Sequence, residues 1–395
     1  MGAKKHLYEI DLMRAFIMLG VLSVHTIVAY IGMLPSSVYV PHLTLAALLT
    51  SLHFTRESFM FITGLVLFVT YYHREFHPLQ FWKKRFLFVA TPYVVWNLVY
   101  ILFEGSYTHP FSWSLSYIVR DWIHSLLAGN QFFLYYVLVT LQLYVVFPAL
   151  LLILRKLERW HLQVLIISFA TQLVLMYLNK YVITGINANT LPPVLKELDI
   201  YRAKFVLTYQ FWFVAGGVTA CHYQKLLEFA RHHTRTIYIS LFVGLVGIYG
   251  NYFFDIFVLH QSIQTAQSVL RPNMVVYSII ITLFMWYTGL LWAERRQRAN
   301  WRPFSRFVQI AADASFGIFL LQPFSLYVMN VIIQHLQVPL WVHFATIPLS
   351  ILFVYFSAMF IAHWMGKIPV ISYCVGRKAV IKRKNSPSVS AQVSQ

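Results

Sequence analysis

Apolar residues stand along this chain in long, nearly unbroken blocks. They show neither the two-residue alternation of a half-buried strand nor the narrow stripe of a surface helix. Ten blocks, at 12–31, 44–72, 86–104, 132–154, 161–181, 205–222, 237–256, 273–293, 308–333 and 341–364, are separated by polar stretches. Each approaches or exceeds the roughly 20 residues that carry a helix through a hydrocarbon core about 30 Å thick. Backbone groups in lipid have no water to bond, so such blocks become helices. The pattern predicts an all-α, polytopic membrane protein with about ten transmembrane helices, its domain at 1–366 and a basic, disordered cytosolic tail at 367–395.

Charge placement orients the blocks. With the N-terminus in the cytosol, the cytosolic segments carry 23 Lys and Arg and the outer ones 6, leaving Arg14 and Arg56 inside blocks. The positive-inside rule then places both termini in the cytosol. Only 11% of the residues are charged and 59% are hydrophobic, against about 25% charged in soluble proteins. The net charge of +18 is spread between apolar blocks, so no basic domain exists to hold nucleic acid. The first block has the length of a span and no small-residue cleavage site after it, so it is expected to stay as the first helix. Cys221 and Cys374 are too few for a disulfide framework or a metal site. Loop 105–131 is rich in aromatic residues. It fits an amphipathic surface helix, with rings that form an interfacial belt or stack on sugars.

Polar residues within the blocks carry the chemistry, because a charge in hydrocarbon is costly and persists for function. Arg14 and His25 are eleven residues apart on the first helix. That spacing returns the second side chain to within about 20° of the first and about 16 Å further along the axis. Asp11, three residues before Arg14, can pair with it. The second block holds His53, Arg56, Glu57 and Ser58. Glu57 is the first candidate to orient and activate the His25 imidazole, the side chain suited to proton transfer near neutral pH. Asp313 in the ninth block is a further acid that can pair with Arg14. Two other readings remain open: a polar network that only ties helices together, and a route for an exported glycan or small anion.

The spacing Asp11-Leu12-Met13-Arg14 followed by His25 resembles the opening motif of the acyltransferase 3 family, membrane proteins that acylate carbohydrates and other acceptors. Further blocks resemble that family in order: Phe59 to Gly64, Lys84-Arg85 with Pro92-Tyr93, Asn130 to Tyr135, and Ser315 to Pro323. Two positions depart from it. Gln322 stands where the late block usually has His, and Phe88 where a second Arg often follows Arg85. The chain is similar to the stand-alone type, without a fused esterase-like domain, that includes a proposed succinyltransferase of adhesin polysaccharide.

The resemblance implies an O-acyltransferase of a bacterial plasma membrane. Its donor is acyl-CoA as co-substrate, with no permanently bound cofactor and no metal, and its acceptor is a carbohydrate or other hydroxyl. A glycan synthase or export machinery is a possible partner. Arg14, Arg85 and Lys84 would bind the donor. His25 would act as general base or acyl carrier, with Arg14, Glu57 and Arg56 in the catalytic group and Asp11, His53 and Asp313 in support.

Overall fold

The second apolar block does not form one continuous helix. In the computed structural model, which describes residues 6–35, 37–183, 192, 196–197, 200–336 and 338–379, it divides at His53 and Phe54. Helix α2 (Tyr39–Leu52) ends there and α3 (Thr55–Tyr71) begins. The amide of His53 reaches back only to the Thr50 carbonyl, at 3.4 Å. This tightened turn re-aims the polar residues that follow.

The remaining helices are α1 (Tyr8–Met33), α4 (Pro78–Tyr107), α5 (Leu115–Ala128), α6 (Tyr135–Lys156), α7 (His161–Tyr177), α8 (Gln210–Cys221) and α9 (Tyr223–His232). They are followed by α10 (Thr234–Phe257), α11 (Ile263–Ala266), α12 (Pro272–Arg295), α13 (Arg302–His335), α14 (Leu340–Met365) and α15 (Ile371–Cys374). No strand occurs among the described residues. Nine helical segments among them are long and apolar enough to cross a membrane. The sixth block, 205–222, is shorter than the others: four residues of 3-10 helix, Val206–Tyr209, lead into the twelve of α8.

That short segment nevertheless runs from one face of the bundle to the other. Just before it, Lys204 Nζ donates to the Ala128 carbonyl at 2.8 Å and to Asn130 Oδ1 at 2.7 Å. Just after it, His222 Nε2 lies 3.1 Å from His161 Nδ1. The face at His222 also carries the ends of α3 and α6, where Arg155 donates to the Tyr71 and Tyr72 carbonyls. The start of α1 lies near the end of α12, where the Arg296 guanidinium sits 3.5 Å from the Tyr8 ring. The opposite face holds Asp255, bonded by Lys180 at 2.9 Å and Arg271 at 3.0 Å. With this shorter segment among the nine longer ones, the end of the last helix lies on the face of the N-terminus among the described residues. A bare glycine surface permits the burial of α8: a Cβ on Gly216 would collide with the Phe61 carbonyl, and one on Gly64 would come within 2.5 Å of the Phe213 carbonyl. Small residues of this kind let membrane helices approach backbone to backbone.

Two polar stretches acquire structure of their own. In loop 105–131, α5 starts at Ser114, whose hydroxyl accepts from the Tyr117 amide, and stops at Gly129 in the left-handed region (φ 59°). Its apolar stripe of Leu115, Val119, Ile123 and Leu127 is exposed, as an interfacial helix requires. Residues 367–379, which composition assigns to the tail, fold back into the bundle. A γ-turn at Val370 (φ 69°), closed by Ile371 N to Pro369 O at 2.9 Å, starts α15. The hook is then pinned by Trp96 Nε1 donating to the Cys374 carbonyl at 2.7 Å and by Tyr373 stacking on Phe88. Ser372 and Val375 are fully buried. Composition misses this because two or three apolar side chains suffice to fill a gap that only the assembled helices create. Residues 380–395 lie outside the described part.

Candidate active site

Arg14 and His25 line one cavity of about 650 Å³, walled by α1, α3, α4, α6, α13 and the C-terminal hook. This size lies within the usual range for small-molecule and cofactor sites. Because α1 is a continuous helix through both residues, their eleven-residue spacing keeps them on one face. At the N-terminal face the wall carries Arg14, Arg85, Asp313, Arg377 and Lys378. Deeper in, it carries His25, His53, Arg56, Tyr135 and Tyr136, and it reaches Val269 in the loop of the opposite face.

The deep end combines an aromatic clamp with unpaired polar atoms. The His25 ring stacks on Phe133 with centroids 3.4 Å apart. Phe132 just before it has φ 44°, a conformation that non-glycine residues adopt at a cost of about 1 kcal/mol or more. Arg56 Nη1 donates to the Tyr135 hydroxyl at 3.2 Å. Arg56 Nη2, His53 Nδ1, the Tyr136 hydroxyl and Arg85 Nε are buried in the wall with no protein partner. Buried polar groups are nearly always bonded, so four orphans around one cavity mark it as a place for a polar ligand.

Some expected contacts form differently. Glu57 is buried, but it does not line the cavity and makes no hydrogen bond to His25 among the described residues. The turn at His53–Phe54 rotates α3 so that Arg56 faces the cavity; Glu57, the next residue, lies about 100° away around the helix. Lys84 is exposed and off the wall for the same reason, being adjacent to Arg85. Asp11 makes its ion pair with His6 at 2.6 Å. Asp313 pairs with Arg377 at 3.4 Å in place of Arg14. Gln322 is fully buried away from the wall, with neither amide atom bonded.

Sequence reasoning missed Arg377 and Lys378, which it counted only as tail charge. Phe133 and Tyr135 lie in the block Asn130 to Tyr135, whose sequence pattern carries no sign of their place in the cavity wall. Among the described residues no group of three or more His, Cys, Asp and Glu gathers to hold a metal ion.

A family model described as an acyltransferase domain matches residues 7–365. The chain belongs to the acyltransferase 3 family. No curated protein and no solved structure matches it. Membership implies acyltransferase activity in general, for a multi-pass protein of the bilayer. The matched region contains every cavity-lining residue except those of the hook, Val375, Gly376, Arg377 and Lys378.

Proposed function

We propose that the protein transfers an acyl group, acetyl or succinyl, from acyl-CoA to a hydroxyl of an envelope or exported carbohydrate. The observation that supports this reading is the joint cavity of Arg14 and His25, with cations at one end and an imidazole about 16 Å along the same helix. On the positive-inside assignment the cationic end opens to the cytosol, where acyl-CoA is made. Arg14 and Arg85 bind the donor's phosphates by charge-assisted hydrogen bonds. The pantetheine arm follows the apolar middle of the cavity, past Met18, Val21 and Phe319, to bring the thioester beside His25.

The acceptor enters from the end near Val269. His25 takes the proton of its hydroxyl as the oxygen attacks the thioester carbonyl. Arg56, whose charge acts on the His25 ring and whose Nη2 has no protein partner, stabilises the developing oxyanion. The C–S bond then breaks, and the thiolate takes the proton from His25, giving an ester and free CoA. In the variant mechanism a neutral ring nitrogen of His25 attacks the thioester and the C–S bond breaks to release the CoA thiolate; the hydroxyl then attacks the acyl-imidazolium, its proton passes to the thiolate, and the N–C bond breaks to give the ester, free CoA and neutral His25.

The test is transfer of label from acetyl- and succinyl-CoA into the glycan fraction of membranes holding wild type or an equally inserted His25→Ala variant. Label that depends on His25 supports the reading. Equal labelling removes His25 from the chemistry. Export of unmodified glycan without any new ester would establish a transporter instead.

A further inference from the structure

The cationic end of the cavity is only partly built by the helices of the family domain. Arg14 comes from α1 and Arg85 from α4, while Arg377 and Lys378 come from the hook that follows the last span. Among the described residues lining the cavity, Asp313 is the only carboxylate, set against the five cations Arg14, Arg56, Arg85, Arg377 and Lys378. Arg14 lies within electrostatic reach of Asp11, Arg85 and Asp313. Gathering like charges in a low-dielectric wall is unfavourable unless an anion joins them. Asp11, off the wall and paired with His6, and Asp313 on it are two carboxylates against the four cations Arg14, Arg85, Arg377 and Lys378, so this end keeps an excess of positive charge, and Arg85 Nε has no protein partner there.

The hook is built to present its two cations. Gly376 takes φ 68° with its α-carbon against Phe316 and the Phe88 carbonyl, where a Cβ would approach to 2.5 Å and 2.9 Å. The Arg377 amide donates to the Ser372 carbonyl at 2.8 Å and the Ala379 amide to the Ser372 hydroxyl at 3.1 Å. The backbone on both sides of Lys378 is therefore held by bonds that do not involve the Arg377 or Lys378 side chains.

We infer that Arg377 and Lys378 complete, with Arg14 and Arg85, a four-cation clamp for the diphosphate and 3′-phosphate of the CoA donor, making the C-terminal hook part of the donor site. This rests on the proposed reading of the donor as an acyl-CoA. Asp313 holds Arg377 in place until the phosphates take it over.

The test titrates CoA, which carries all the phosphates whatever the acyl group, into the full chain in phosphatidylcholine nanodiscs. Wild type binds. The Arg377→Ala/Lys378→Ala double variant binds about 10- to 100-fold more weakly, as expected for losing charged hydrogen bonds. Arg377→Lys/Lys378→Arg stays within about threefold, because Lys also binds phosphate, as a point charge, and the total charge of the pair is kept. All three unfold at the same temperature without ligand. Unchanged affinity in the double-alanine variant overturns the inference and leaves the donor reading intact. Equal loss in both double variants assigns the hook a purely structural role and also overturns it. Absence of CoA binding by wild type overturns the donor reading itself. Adding phosphatidylglycerol to the discs leaves wild-type affinity within about threefold. A tenfold competitive loss would instead assign the cluster to a lipid headgroup.

Discussion

The His25 imidazole lies flat on the Phe133 ring, with centroids 3.4 Å apart and planes 25° from parallel. No hydrogen bond holds the imidazole among the described residues, so the aromatic face takes the orienting role that a carboxylate has in many general-base sites. A neutral apolar surface sets the plane of the ring and leaves both nitrogens free for donor and acceptor.

Replacing Phe133 by Ala is therefore expected to lower kcat about tenfold with little change in KM for the donor, because a loosened base misses its attack geometry. Phe133→Tyr should retain most of the rate. Steady-state kinetics on reconstituted protein would show this; an unchanged kcat in the alanine variant would remove the clamp from the mechanism.

Arg14 and His25 should separate cleanly in kinetics. His25→Ala is expected to lower kcat by about 10²–10⁴, the usual worth of general acid–base catalysis. Arg14→Ala should instead raise the donor's KM with a smaller effect on kcat, because in the proposed mechanism it contacts the end of the donor that does not react. A loss of kcat alone in the Arg14 variant would place its guanidinium at the reacting carbonyl.

Gly376→Ala should loosen the hook. The left-handed backbone costs a residue with a Cβ about 1–2 kcal/mol, and here the Cβ would also meet Phe316. In a Cys221→Ser background, maleimide labelling of Cys374 is expected to speed up several-fold as Trp96 releases its carbonyl. Unaltered labelling would mean that the hook accommodates the methyl group.

His222 lies just beyond α8, beside His161, and within reach of Lys225 and Glu158. Burial, with help from His161 and Lys225, holds its imidazole below the ordinary value. A depressed folded-state value means that the unfolded chain binds the proton more tightly. The stabilising effect is thus complete above about pH 6.5 and is lost as pH falls below it. His222→Gln should flatten the stability profile between about pH 6.5 and 5. Thermal unfolding across that range would check it, and the effect is small because the imidazole is only partly buried.

Much of the architecture was legible because it follows from solvent chemistry that acts on each segment separately. Block length decides whether a helix crosses, and Lys and Arg placement decides its direction, so the all-α polytopic fold could be read before any contact was known. The shared face of Arg14 and His25 could also be read, since both lie on one unbroken helix whose repeat fixes their angle. Segment 205–222 was legible as an apolar helix of the bundle, although that helix is shorter than a full span.

Relations between segments were not legible. Glu57 was expected beside His25, but the break at His53–Phe54 changes the rotation of everything after it, and no local propensity announces that break. Asp313 chose Arg377 over Arg14 because the hook folds into the bundle, which depends on a gap lined by Trp96, Phe88 and Phe316 from two different helices. The sequence by itself determined which stretches are long and apolar enough to enter the bilayer and which polar side chains ride on them. Only the tertiary structure decided which of those side chains meet around one cavity, because packing between distant helices sets rotation and depth.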